Sequence, residues 1–62
     1  MEDKIMLDWL NKNLNKLNLF VFKDNEKDKN IIDCYYKNDE HFGIYYRDRI
    51  QLMIDEKMEI TN

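Results

Sequence analysis

Few residues in this chain have side chains that could carry out covalent or metal chemistry. The 62 residues include one cysteine, Cys34, one histidine, His41, and no serine. A serine nucleophile is therefore excluded, and a zinc site, which takes about four Cys, His or acidic ligands, lacks its usual donors. A cysteine nucleophile needs a base within hydrogen-bond reach, so the relative placement of Cys34 and His41 decides whether that chemistry is available.

Two other combinations of residues could hold a metal ion. Asp39 and Glu40 are adjacent in sequence, and His41 and Asp55 could approach one another across a sheet. Adjacent acids in a turn are more commonly a solvated corner. A phosphate-binding loop needs several glycines, and the chain has one. We therefore predict no enzymatic activity, no cofactor and no metal site.

Basic and aromatic side chains suggest nucleic-acid binding as an alternative function. The set consists of three cations and two tyrosines: Lys37, Arg47, Arg49, Tyr35 and Tyr45. Proteins that hold single strands combine cations with stacking aromatics. However, Asp33, Asp48 and Asp55 interrupt the set, and the net charge of −3 repels phosphate. Nucleic acid is therefore the less favoured partner.

An amphipathic helix is predicted over residues 3–18. The apolar stripe follows a helical spacing and consists of Met6, Leu7, Leu10, Leu14 and Leu17. Asp3 is the expected N-cap, and Asn18 the expected left-handed residue at the helix end. The apolar arc also takes in Ile5 and Trp9, and it is wider than the roughly 100° needed to cover one surface.

The surplus apolar side chains on this helix leave two alternatives open. Ile5 and Trp9 either close the edge of the protein's own core or contact another chain. Because so short a chain buries a marginal core, we expect a homodimer with Ile5 and Trp9 at a possible dimer contact.

The middle of the chain predicts β-strands. Residues 18–23 are predicted to form a strand whose residues 19–22 are apolar on both faces, and residues 23–30 form a charged loop. From Ile31 onward the apolar residues alternate, which is typical of half-buried strands. We expect a three-residue hairpin loop at 38–40, with Asn38 left-handed, and a second at 47–49. A two-residue turn would instead place Cys34 beside Gly43 and Asp33 beside Ile44.

The preferred register assigns a face to each side chain. It places nine apolar residues on the inner face: Ile32, Cys34, Tyr36, Phe42, Ile44, Tyr46, Ile50, Leu52 and Ile54. Tyr35, Tyr45 and Met53 then point outward. His41 also lies on the outward face, on the other side of the sheet from Cys34, so the two cannot form a catalytic pair. The alternating pattern continues through Met58 and Ile60, but a helical stripe through Ile50, Met53, Ile54 and Met58 competes with it. We prefer a strand through Ile54, and residues 55–62 stay open.

These assignments predict an α+β fold, a single domain over residues 1–62 with an N-terminal helix packed on an antiparallel meander of about four strands. The expected function is that of a small protein-binding module that inhibits or regulates a larger protein. The expected partner-binding residues are Tyr35, Tyr45, Met53, Lys37, Arg47 and Arg49.

Composition bears on the setting of the protein. A single free thiol, no signal peptide and no apolar run of about 20 residues favour the cytoplasm and no membrane. Many residue types here have A/T-rich codons, which is typical of low-GC bacteria and their phages. A phage or mobile-element inhibitor of a host nucleic-acid enzyme or defence nuclease is one such possibility.

Overall fold

A computed structural model describes residues 3–57, which form two helices and a three-stranded antiparallel sheet. The elements in chain order are helix α1 (Asp3–Leu14), strands β1 (Phe20–Asp24), β2 (Ile31–Tyr36) and β3 (His41–Tyr46), and helix α2 (Arg47–Asp55). The predicted α+β class is confirmed. The sheet has three strands in the order β1-β2-β3, because the segment expected as a fourth strand is α2.

Helix α1 begins at Asp3 and ends at Leu14, four residues earlier than predicted. Asn15 ends it with side-chain bonds to the next strand: its Oδ1 accepts from the Phe20 N–H at 2.9 Å, and its Nδ2 donates to the Phe20 carbonyl at 3.0 Å. Asn18 has a φ of 56°, so the predicted left-handed exit is confirmed. Leu17 was expected on the buried stripe, which is wrong, because it lies past the helix and is 79% exposed.

The core lies between both helices and one face of the sheet, here called the inner face. Met6 and Leu10 of α1, Ile32 of β2 and Ile50 of α2 are buried together. The half-buried side chains around this cluster are Leu7, Trp9, Leu14, Phe22, Tyr45 and Ile54. Trp9 therefore packs against the core of its own chain, whereas Ile5 is about half exposed. Their role in a dimer contact stays a prediction.

The register of β2 and β3 matches the less favoured of the two predicted alternatives. Cys34 pairs with Gly43 and Asp33 with Ile44, where Cys34 beside Ile44 was expected. The preferred register is therefore wrong by one residue, and the faces of Ile44, Tyr45 and Tyr46 are reversed.

Two local features explain the altered register. The hairpin loop comprises residues 37–40, and Asp39 is its left-handed residue (φ 70°) in place of Asn38. The register then shifts between Cys34 and Tyr35, which makes Phe42 the extra residue of a β-bulge. The Phe42 ring lies 5.2 Å from Tyr36 and 4.9 Å from Phe20, so the bulge returns it to the inner face.

Helix α2 replaces the predicted hairpin at 47–49 and the strand that follows it. Its first turn is capped by Asn30, a residue distant in sequence. The backbone carbonyl of Asn30 accepts from the Arg47 N–H at 2.7 Å, and the side-chain Oδ1 of Asn30 accepts from the Asp48 N–H at 3.1 Å. Such bonds satisfy N–H groups that a helix start leaves free. Ile50 is then buried and Leu52 exposed, as the helical stripe requires.

The end of α2 completes the described part of the chain. Lys57 has a φ of 57° and donates its N–H to the Ile54 carbonyl, a left-handed helix end. The continuation of the alternating pattern to Met58 and Ile60 lies outside the described residues. Among those that are described, neither helix has the length and apolar character that crossing a bilayer requires.

Candidate protein-binding surface

The sheet face opposite both helices, here called the outer face, is the candidate site. Pairing across the three strands gives its members: Val21, Lys23, Ile31, Asp33, Tyr35, His41, Ile44 and Tyr46. Within residues 3–57 no helix or strand lies over this face, because α1 and α2 both pack against the buried Ile32 on the other side. The outer face is therefore open to a partner.

Asp33 lies at the centre of the outer face and organises its polar groups. Its Oδ2 accepts from the Asn25 Nδ2 at 3.0 Å, and its Oδ1 lies 3.2 Å from the His41 Nε2. An ionised carboxylate can only accept, so the His41 Nε2 is the donor of this bond. These bonds hold the β1–β2 loop, β2 and β3 in one arrangement.

Tyr35 is held next to this polar centre by two neighbours. The His41 ring meets the Tyr35 ring nearly edge-on, with 5.1 Å between their centroids. The Lys23 Nζ lies 5.2 Å from the Tyr35 centroid on the other side, a cation–π arrangement. These two contacts favour one orientation of the Tyr35 ring.

The remainder of the outer face is apolar and partly exposed. Ile44 is 42% exposed and Tyr46 is 47% exposed, while Val21 and Ile31 are half-buried. An antiparallel sheet with one solvated face normally alternates apolar residues inward with polar residues outward. The outer face departs from that pattern, and exposed apolar patches commonly mark interaction sites.

The structure places the two predicted tyrosines on opposite faces. Tyr35 points outward, as predicted. Tyr45 points inward, packs against the core and lies 6.1 Å from the Phe22 ring. The predicted outward face of Tyr45 is therefore wrong, because the one-residue change in register exchanges the faces of β3.

The other predicted partner-binding residues lie off the outer face. Lys37 is in the hairpin loop, and Arg49 and Met53 are on α2. The Arg47 guanidinium forms an ion pair with Asp24, and its side chain is 16% exposed. The basic-aromatic set therefore does not form one surface, which removes support from the nucleic-acid interpretation. The binding roles of these residues stay predictions.

Ile44 and Tyr46 are the members that sequence reasoning placed on the wrong face. The alternating pattern of β3 contains them, but it does not tell which of its two faces is buried. The alternative register, with Asp33 beside Ile44, places both Ile44 and Tyr46 on the correct face.

Chemistry on the inner face is restricted by burial. Cys34 is fully buried, and this burial raises the pKa of its thiol above the ordinary value of 9.0. His41 is on the outer face, so Cys34 and His41 lie on opposite sides of the sheet, as predicted. Among the described residues, no three His, Cys, Asp or Glu side chains come together as metal ligands would.

The raised pKa values of Cys34 and Tyr45 predict a loss of stability at alkaline pH. Burial, and then the nearby Cys34 thiolate, raise the pKa of Tyr45 above its ordinary 10.0. The unfolded chain releases both protons at a lower pH than the folded protein does. The free energy of unfolding therefore stays constant below about pH 9, as far as these two groups are concerned, and decreases as the pH rises above it.

Urea denaturation between about pH 8 and about pH 11 measures this loss. The variant Cys34→Val removes the cysteine contribution, so its stability should fall less steeply than that of the wild type. Parallel pH profiles for the two proteins would contradict the assignment to Cys34.

Comparisons with known proteins add no relative. No family model matches the sequence, and neither curated proteins nor solved structures give a match.

Proposed function

We propose that this protein is a small non-enzymatic protein-binding module, an inhibitor or regulator of a larger protein, and that the outer face binds the target. One observation carries the proposal: five of the eight outer-face residues are apolar or aromatic, although both helices pack on the other face. The five are Val21, Ile31, Tyr35, Ile44 and Tyr46.

The composition of the outer face suits recognition of a folded protein. Tyrosine gives a large contact area at a low cost in conformational entropy, and Tyr35 is already held in place by His41 and Lys23. Ile44 and Tyr46 extend the contact along β3. The pair of Lys23 and Asp33 offers one cation and one anion beside the apolar residues, which would favour a partner with complementary charges.

The rim of the outer face carries charges of both signs. A shallow cleft beside Tyr35 and Asp33 is lined by the acids Asp24 and Glu26 and by the cations Lys23 and Lys27. A target with charges of both signs would therefore suit this rim. An inhibitor from a phage or another mobile element, directed at a host nucleic-acid enzyme or defence nuclease, is one form of the proposal.

A matched pair of variants tests the proposal. Tyr35→Thr/Tyr46→Thr removes both rings and introduces threonine, a β-branched residue that strands favour. Leu52→Gln, the control, removes an exposed apolar side chain from α2, away from the outer face. Each immobilised protein is exposed to an extract of the source cells, and the target captured is then purified for titration against all three.

The expected result is that wild type and Leu52→Gln bind the purified target equally. The tyrosine variant should bind at least about tenfold more weakly, because central aromatic residues commonly carry most of the binding energy. Circular dichroism should show all three to be folded. Equal binding by the tyrosine variant would remove the outer face as the binding surface.

A further inference from the structure

A second apolar surface lies at the hairpin end of the inner face, beyond the end of α1. We call this surface the open end. It consists of five apolar or aromatic side chains: Leu17, Leu19, Phe20, Tyr36 and Phe42. Three of these residues, Leu17, Leu19 and Phe42, are among the exposed large hydrophobic residues of the protein.

The open end continues the core layer, and no helix within residues 3–57 covers it. The rings of Phe20, Tyr36 and Phe42 contact one another, with centroids between 4.9 and 5.4 Å apart. Helix α1 ends at Leu14 and therefore does not extend over them. The fully buried part of the core is small, and domains of this size commonly gain stability by association.

The open end carries both a projecting side chain and a recess. Leu17 is 79% exposed, the highest exposure among the large hydrophobic residues described. The recess is a shallow, open cleft whose apolar walls are Leu19 and Tyr36. Its rim has one cation, Lys37, and one anion, Glu40, so the cleft is neutral overall and suits an uncharged side chain.

We infer that the open end is the interface of a homodimer, in which Leu17 of each copy enters the cleft of the other. A two-fold interface requires that one surface present both members of each contact, since residue i meets residue j and residue j meets residue i. The open end presents both members, since Leu17 projects next to Leu19 and Leu19 also lines the cleft, which Leu17 of the same copy does not line. This interface differs from the predicted contact through Ile5 and Trp9.

Light scattering of the purified protein over a concentration series tests the inference. The expected mass of the wild type at high concentration is 15.4 kDa, which is twice 7.7 kDa. Leu17→Lys should raise the dissociation constant of the dimer at least about tenfold, because it removes a buried apolar side chain and places a charge in the apolar cleft of the other copy. Leu17 is so exposed that the substitution should leave the monomer folded, and Leu17→Ser serves as a second variant.

Two controls separate this interface from the others. Ile44→Thr on the outer face and Ile5→Gln on α1 should both leave the dimer intact. A wild type that stays at 7.7 kDa at every concentration would overturn the inference. A dimer that resists both Leu17 substitutions, or one lost with Ile5→Gln or Ile44→Thr instead, would also overturn it. Because the surfaces are separate, monomeric Leu17→Lys should still capture the target of the outer face.

Discussion

Replacing Asn15 by alanine is expected to lower the free energy of unfolding by about 3 kcal/mol, because it removes three hydrogen bonds worth about 1 kcal/mol each. The Asn15 side chain is only 9% exposed and bonds to both backbone groups of Phe20 and, at 2.7 Å, to the Asn11 Oδ1. A domain of this length has a total stability of about 3–9 kcal/mol. Urea denaturation should therefore show a much lower midpoint or a largely unfolded variant.

Two further variants define the cause of this loss. Asn15→Asp is nearly isosteric but can only accept hydrogen bonds, so it should lose the bonds to the Phe20 carbonyl and to Asn11. It should therefore be destabilised nearly as much as Asn15→Ala. Lys16→Ala, at the exposed neighbouring position, should be close to neutral. An Asn15→Ala variant with the wild-type midpoint would show that these bonds do not hold α1 to β1.

Replacing Arg47 by alanine is expected to cost about 2 kcal/mol, half from the ion pair and half from packing of the aliphatic stem. The Arg47 guanidinium pairs with Asp24 of β1, and its Nη1 lies 3.7 Å from the Met6 sulfur of α1. The Arg47 side chain therefore connects α2 to both β1 and α1. The ion pair contributes only about 1 kcal/mol to the free energy of unfolding, because Asp24 is about half exposed and water screens its charge.

Arg49 is the matched control for Arg47, since both are arginines in the first turn of α2. Arg49 is exposed, so Arg49→Ala should change stability by less than about 0.5 kcal/mol. Arg47→Met retains most of the stem and should lose about 1 kcal/mol, which separates packing from charge. Equal urea midpoints for Arg47→Ala and Arg49→Ala would contradict the role assigned to Arg47.

The features that sequence predicted best are those set by neighbouring residues. The stripe of Met6 and Leu10 defined the buried face of α1, and Asn18 took the left-handed conformation expected of it. The end of α1 was misplaced because Asn15 bonds to Phe20, five positions later, in place of continuing the helix. The spacing of the leucines holds no information about that bond.

The second helix was missed because its stabilising contacts are distant in sequence. Ile50 and Ile54 fit a strand and a helix equally well, so periodicity does not decide between them. The cap from Asn30 is 18 positions before Asp48, and the ion pair to Asp24 is 23 positions before Arg47. Neither contact can be predicted from the local sequence pattern.

The candidate site was predicted in part. Tyr35 was placed on the outer face because the faces of β2 do not depend on the hairpin. Ile44 and Tyr46 were placed inward because an outward Ile44 puts an isoleucine beside Asp33. The structure accommodates that pair by giving the Asp33 carboxylate two donors, Asn25 and His41.

The measurement that tests the central claim most directly is maleimide labelling of Ile44→Cys, free and bound to its target. Cys34 is fully buried, so the introduced thiol should dominate the reaction. We predict fast labelling of the free protein and strong protection in the complex, whereas Leu52→Cys on α2 should label equally in both. Slow labelling of free Ile44→Cys, or a rate unchanged by the target, would contradict an outer face that is open and binds a partner.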